Sequence, residues 1–114
     1  MQNHFPLVSI YTCVHNRADK IHRVFDSVKA LDYQNIEHII INDASTDSVE
    51  PLICEYVKQA NYPVKYMSFE KNSGKHAALN KAWDMAEGEF AIQLDDDDEL
   101  LPSSISFLVN TYYN

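Results

Sequence analysis

Apolar positions recur along this chain with two alternating periods. Leu7 to Val14 reads as an apolar, β-rich strand. After it come Ile21, Val24, Phe25, Val28 and Leu31, spaced by three and four, the interval that keeps side chains on one face of a helix. The pattern then repeats. Ile36 to Ile41 reads as a second strand, and Ile39-Ile40-Ile41 does not alternate, which suits a strand covered on both faces. Val49, Leu52, Ile53, Tyr56 and Val57 mark a second helix, with Pro51 tolerated in its first turn. Pro63 to Phe69 is a third strand. Ser73-Gly74 opens a third helix with Ala78, Leu79, Ala82, Trp83 and Ala86 as its apolar stripe. Phe90 to Leu94 is a fourth strand, and Pro102 starts a last helix through Ile105, Leu108 and Val109.

The punctuation between these blocks is polar. Asn16 is expected to cap the first helix. Asp32–Asn35 and Asp43–Ser48 are turns, and Gly88 ends the third helix by adopting positive φ. Strand and helix thus alternate throughout, which predicts an α/β fold: a Rossmann-like parallel sheet flanked by helices. Right-handed crossovers give the strand order 3-2-1-4, with strand one beside strand four. There is no internal repeat or linker. The last helix runs to Asn114 with Tyr112 and Tyr113 almost terminal, so residues 1–114 are expected to be one partial domain of a longer protein.

Composition narrows the function. Hydrophobic residues make up 46% of the chain, enough for a buried core. Nine basic against seventeen acidic residues leave a formal charge of −8, which repels a phosphate backbone and excludes nucleic acid as an expected partner. Cys13 and Cys54 stand far apart and make no metal or redox pair, pointing to a reducing compartment. No apolar run approaches twenty residues. The expected location is the cytoplasm, or the inner face of the membrane for a longer chain.

In a parallel α/β sheet, the loops that follow the strands share one edge, where ligands bind. Cys13, His15 and Asn16 follow strand one; Asn42, Asp43, Ser45 and Asp47 follow strand two. Asn72, Gly74, Lys75 and His76 follow strand three, and Asp95-Asp96-Asp97-Asp98-Glu99 follows strand four. Adjacent carboxylates repel one another unless something neutralises them. Hard oxygens suit Mg²⁺ or Mn²⁺, which also bind phosphate oxygens. A solvated acidic loop is the plainer alternative. Asp43 can accept a hydrogen bond from a base N–H, or serve only as a turn former. Lys75 opposes the macrodipole at a helix start, a poor choice for stability and a good one beside an anion. His4, His22 and His38 have no ligand spacing and read as surface or packing residues, as Trp83 reads as core. With only Gly74 and Gly88 in the chain, neither a GxGxxG fingerprint nor a Walker A loop can be built.

Four segments together resemble a known family. Val8-Ser9-Ile10 through His15-Asn16-Arg17-Ala18 resembles the opening strand and turn of family-two glycosyltransferases, which have the GT-A fold. Ile40-Ile41-Asn42-Asp43-Ala44-Ser45-Thr46-Asp47 is similar to their Val-Val-Asp-Asp-Gly-Ser-Thr-Asp segment. Asn72-Ser73-Gly74-Lys75-His76-Ala77-Ala78-Leu79-Asn80 is similar to their Asn-x-Gly-x-x-Ala-Ala-x-Asn segment. Gly88-Glu89-Phe90 followed by Leu94-Asp95-Asp96-Asp97-Asp98 resembles the strand leading into their DXD motif. His15 stands in place of a base-stacking tyrosine, Cys13 of a proline, Asn42 of an aspartate and Ala44 of a glycine.

The resemblance implies a nucleotide-sugar donor, a UDP-sugar, and transfer with inversion to a hydroxyl of a glycan or lipid-linked acceptor in cell-surface polysaccharide synthesis. It implies that Asp43 contacts uracil with Lys75 nearby, that His15 stacks on the base, that Asp96 reaches the ribose, and that Asp95 and Asp97 bind Mn²⁺ or Mg²⁺. The general base would lie in the later, acceptor half, so these residues alone are expected to bind donor and transfer little. Two rivals remain. A phosphohydrolase-like metal domain would place an aspartate where Cys13-Val14-His15 stand. A calcium or protein-binding module would space its ligands around a glycine.

Overall fold

The computed structural model describes residues 5–113; His4 and Asn114 lie outside the described residues. Its elements are β1 (Val8–Val14), α1 (Ile21–Lys29), β2 (Ile36–Asn42), α2 (Val49–Gln59), β3 (Val64–Ser68), α3 (Lys75–Met85), β4 (Phe90–Gln93) and α4 (Ser104–Tyr113). The four strands form one sheet in the order β3-β2-β1-β4, and every pair is parallel. This is the expected α/β architecture and strand order. No helix among the described residues is long and apolar enough to cross a membrane.

Handedness assigns the helices to faces. From β1 to β2 to β3 the chain steps one way across the sheet. From β3 to β4 it steps back across β2 and β1. With right-handed crossovers, the reversal must put α3 on the opposite face from α1 and α2. The packing agrees. Val24 and Phe25 of α1, Ile53 and Tyr56 of α2, and Ile105 and Val109 of α4 share a core with Val8, Ile10 and Ile40. On the other face Ala78 and Ala82 of α3 pack on Ile39 and Ile41. Ile39, Ile40 and Ile41 of β2 are fully buried, each contributing about 1.5–3 kcal/mol over an exposed position.

Several local expectations differ from the structure. Trp83 is 63% exposed rather than in the core, in edge-on ring contact with Tyr11 at 6.4 Å. Alanines, not the indole, bring α3 onto the sheet. Leu52, Val57 and Leu108 are also exposed, and Leu31 packs on the core from beyond the end of α1. Asn16 does not cap α1, which begins after Lys20 without a side-chain cap. Gly88 does not end α3 through positive φ; Gly74 is the glycine with that conformation. Gly88 is needed for closeness instead. A Cβ there would lie 2.5 Å from Ser9 Oγ, 2.7 Å from Ser9 N and 2.8 Å from Leu7 O.

Two ionisable residues are buried in β2. Glu37, facing α3, accepts from the Ser9 hydroxyl at 2.6 Å and the Glu87 N–H at 2.7 Å, and pairs with Lys65 at 2.8 Å. Burial alone would raise its pKa; the Glu87 N–H, Lys65 and Ser9 reverse that and hold it below the usual carboxylate range. His38, on the other face, is the packing residue the spacing suggested. Its ring bridges Thr12 Oγ1 at 2.9 Å and the Tyr56 hydroxyl at 2.7 Å, and burial lowers its pKa to about 3.

The depressed His38 pKa fixes a sign. Below about pH 6.5 the unfolded chain binds a proton that the folded chain refuses, so stability falls as pH drops toward 3, by up to about 1.4 kcal/mol per pH unit. Urea unfolding of the wild type between pH 7 and 5 should show this slope, and His38→Gln should flatten it. Gly88→Ala should destabilise by about 1–3 kcal/mol, because backbone rather than a flexible side chain must give way. A Gly88→Ala midpoint equal to the wild type would remove the close-approach account.

Candidate functional site

The reversal of strand order lies between β1 and β4, and a cleft opens there at the carboxyl ends of the strands. It has a volume of about 480 Å³ and is lined by Cys13, His15, Arg17, Asp43, Asn72, Gly74, Lys75 and Asp95 to Asp97, among others. All six candidate residues, His15, Asp43, Lys75, Asp95, Asp96 and Asp97, therefore border one cavity.

Asp43 is its most constrained member. The residue is only 5% exposed, and its carboxylate accepts from Ser73 N at 2.7 Å and Gly74 N at 3.0 Å. A negative charge from within the chain thus sits at the entry to α3, where the macrodipole favours one. Gly74 can present its N–H this way because it adopts φ +91°, a conformation costly for other residues. Ala44, next to Asp43, holds φ 54° with a side chain. Asn42 braces the turn, accepting from Ser45 N at 3.1 Å and donating to the Tyr66 hydroxyl at 3.1 Å.

His15 is fixed by the same turn. Its Nδ1 lies 2.8 Å from the Asp43 carbonyl; a carbonyl only accepts, so Nδ1 carries the proton and Nε2 is left as an acceptor. Asn16, at φ 54°, turns its Oδ1 toward the β2 loop and accepts from Thr46 N at 2.7 Å and Asp47 N at 3.2 Å. Asp47 answers by accepting from Ala18 N at 2.8 Å. The loops after β1 and β2 are thereby tied together. Cys13 lines the cleft as a half-buried thiol, and burial pushes its pKa up to about 11, so it is a packing residue and not a thiolate.

The acidic run is partly neutralised by the chain itself. Asp96 accepts from His15 N at 3.0 Å through Oδ2 and from Arg17 Nε at 3.2 Å through Oδ1. Arg17 Nη2 is also 3.8 Å from Asp97 Oδ2. Asp95 Oδ1 is 3.4 Å from Lys75 Nζ and accepts from Gln93 at 3.0 Å. Arg17 has a clear place in the site, although its sequence position stood out only within the first of the four segments. No group of three or more His, Cys, Asp or Glu side chains among the described residues forms a ready cage for a metal ion. Asp95 and Asp97 stay roughly half exposed on the cleft. Such a donor set fits Mg²⁺ or Mn²⁺, which take one or two carboxylates and leave the remaining positions to phosphate and water.

Comparison with known proteins agrees with the fold. The sequence profile described as Glycosyl transferase family 2 matches residues 9–114, and the chain belongs to that family. WcaA of Escherichia coli strain K12, named for a glycosyl transferase of colanic acid biosynthesis, is 39% identical over 102 residues, 89% of this chain and 36% of its own length. The chain thus spans about a third of that relative. The mannosyltransferase PcManGT of Pyrobaculum calidifontis, solved with GDP-Man and Mn²⁺, has the same fold with a TM-score of 0.90 at 22% identity, over 97% of this chain and 33% of that one. S. aureus TarS 1-349 with UDP-GlcNAc gives 0.82 at 26% identity, over 90% of this chain and 30% of that one. Neither the phosphohydrolase-like domain nor the acidic binding module is favoured beside this membership.

Asp43→Asn should lower folding stability as well as alter the site. One of its two N–H donors would face an amide N–H instead of an oxygen, costing about 1–3 kcal/mol. Urea unfolding of the pair checks this, and an unchanged midpoint would show that Ser73 and Gly74 find other partners.

Proposed function

We propose that the chain is the donor-binding part of a glycosyltransferase that takes the sugar of a UDP-sugar and passes it, with inversion, to a hydroxyl of a glycan or lipid-linked acceptor in cell-surface polysaccharide synthesis. The observation that carries this reading is the meeting of His15, Asp43, Lys75 and the Asp95–Asp97 run around one cleft at the strand reversal. GDP-Man and UDP-GlcNAc in the two structural relatives support a nucleotide-sugar donor. The colanic acid name of WcaA supports a polysaccharide product. The location proposed for the whole protein is the cytoplasm, or the inner face of the membrane.

The roles follow from the chemistry of each group. The His15 ring, held by the Asp43 carbonyl, offers a flat face to a base. Asp43 uses both carboxylate oxygens on backbone N–H groups, yet each oxygen keeps a second lone pair that can accept from uracil N3–H. Asp96 is the ribose contact, and Lys75 supplies positive charge beside the nucleotide. Asp95 and Asp97 are the groups that would hold Mn²⁺ or Mg²⁺. Such a cation supplies charge that stabilises the diphosphate as the sugar departs. The base that deprotonates the acceptor belongs, in this reading, to the part of the protein that this chain does not span.

At fixed Mn²⁺, competition titrations should show UDP binding about 5- to 100-fold more tightly than ADP, the equivalent of losing one partner of a desolvated carboxylate. Asp97→Ala should abolish Mn²⁺-dependent UDP binding in calorimetry while leaving the circular dichroism unchanged, since the side chain is 45% exposed. Equal UDP and ADP affinities would remove the base-recognition role. Undiminished Mn²⁺-dependent binding in the variant would remove the metal assignment.

A further inference from the structure

The acidic run carries its own counter-ion. Arg17 comes from the loop after β1, far from Asp96 and Asp97 in sequence, yet its Nε donates to Asp96 at 3.2 Å and its Nη2 lies 3.8 Å from Asp97. The Asp96 oxygen that Arg17 leaves is taken by His15 N at 3.0 Å. Lys75 does the corresponding job for Asp95 at 3.4 Å. The Arg17–Asp97 pair is solvent-facing, with side chains 40% and 45% exposed, so it is weak and exchangeable, whereas the Asp96 side chain is only 16% exposed. Arg17 also lines the cleft itself.

We infer that Arg17 is a positioning residue that neutralises Asp96 and Asp97 in the ligand-free chain and is released from Asp97 when donor arrives, so that the divalent cation enters together with the diphosphate rather than ahead of it. This rests on the reading of Asp95 and Asp97 as cation ligands. The charge logic is direct. A cation approaching Asp97 alone meets a guanidinium already beside that carboxylate, and like charges at short range repel. A nucleoside diphosphate brings negative oxygens that can take over the guanidinium, because a planar guanidinium binds phosphate with two parallel N–H groups. Its arrival frees Asp97 at the moment a cation is useful. The Asp96 contact through Nε holds the arginine at the cleft throughout, which is why the residue need not travel.

The test uses Mn²⁺ and UDP as probes on the wild type, Arg17→Gln and Arg17→Lys. Bound Mn²⁺ is read from the loss of the free-ion electron paramagnetic resonance signal, with and without UDP, and thermal melting checks that each variant is folded. Arg17→Gln should bind Mn²⁺ alone about 3- to 10-fold more tightly than the wild type, and should bind UDP with Mn²⁺ more weakly. Arg17→Lys, which keeps the charge but not the fork, should stay near the wild type for Mn²⁺ alone and lose part of the UDP affinity. A merely structural arginine would lower Mn²⁺ affinity on removal, so the opposite sign separates the two roles. Unchanged or weaker binding of Mn²⁺ alone by folded Arg17→Gln would overturn the counter-ion role. Should Arg17→Gln fail to fold, a gain of Mn²⁺ affinity in Arg17→Lys as large as that expected of the glutamine variant overturns it equally. Loss of the proposed cation site has a different signature: the wild type would then take up no Mn²⁺ even with UDP.

Discussion

Right-handed crossovers leave this chain one way to reverse direction within its sheet, and the reversal organises the rest. Two steps outward from β1 to β3 are followed by one long step back to β4. That return places α3, of the four helices among the described residues, on the face opposite the other three and opens the sheet edge between β1 and β4. The loops after β1, β2 and β4 and the entry to α3 then converge because the strands are parallel, not because the loops attract one another. The five carboxylates in a row are partly neutralised there by Arg17 from the loop after β1 and Lys75 from the start of α3.

The sheet and its order were legible because they rest on short-range pattern. The Ile39–Ile41 run, the three-and-four spacing of α1 and the alternation of element types each state their own structure. The six candidate residues were legible as neighbours for the same reason, since parallel topology alone brings strand ends together. What the pattern could not show depends on distant partners. Asn16 looks like a helix cap from its neighbours, but its acceptor oxygen serves Thr46 and Asp47 some thirty residues on. Gly88 looks like a helix stop, but its constraint is the β1 backbone. Trp83 fits the helical stripe by spacing, yet a stripe one alanine wide suffices for a helix packed close to a sheet. Arg17 sat in the open as one of few basic residues, and only its contact with Asp96 gives it a role.

Asp43 shows how closely structure and proposed function share one group. Its carboxylate holds the start of α3 through Ser73 and Gly74, while its carbonyl orients His15. Asp43 therefore links the His15 ring, the helix entry and the charge of the cleft in one residue. The site is buried and hydrogen-bonded on this side, while most carboxylates of the Asp95–Asp98 side are solvent-facing.

Trp83 is the one tryptophan of the chain, and its outward position has an optical consequence. An indole already in water emits much as it will after denaturation, so its fluorescence maximum shifts little when the sheet melts. Its edge-on neighbour Tyr11, 6.4 Å away on β1, is close enough to pass excitation to it. The share of the indole's emission passed on by Tyr11 thus depends on α3 staying docked against β1. With seven tyrosines in the chain, the difference in transferred emission between the wild type and Tyr11→Phe isolates the part that reports helix docking, while direct excitation of the indole would report almost nothing.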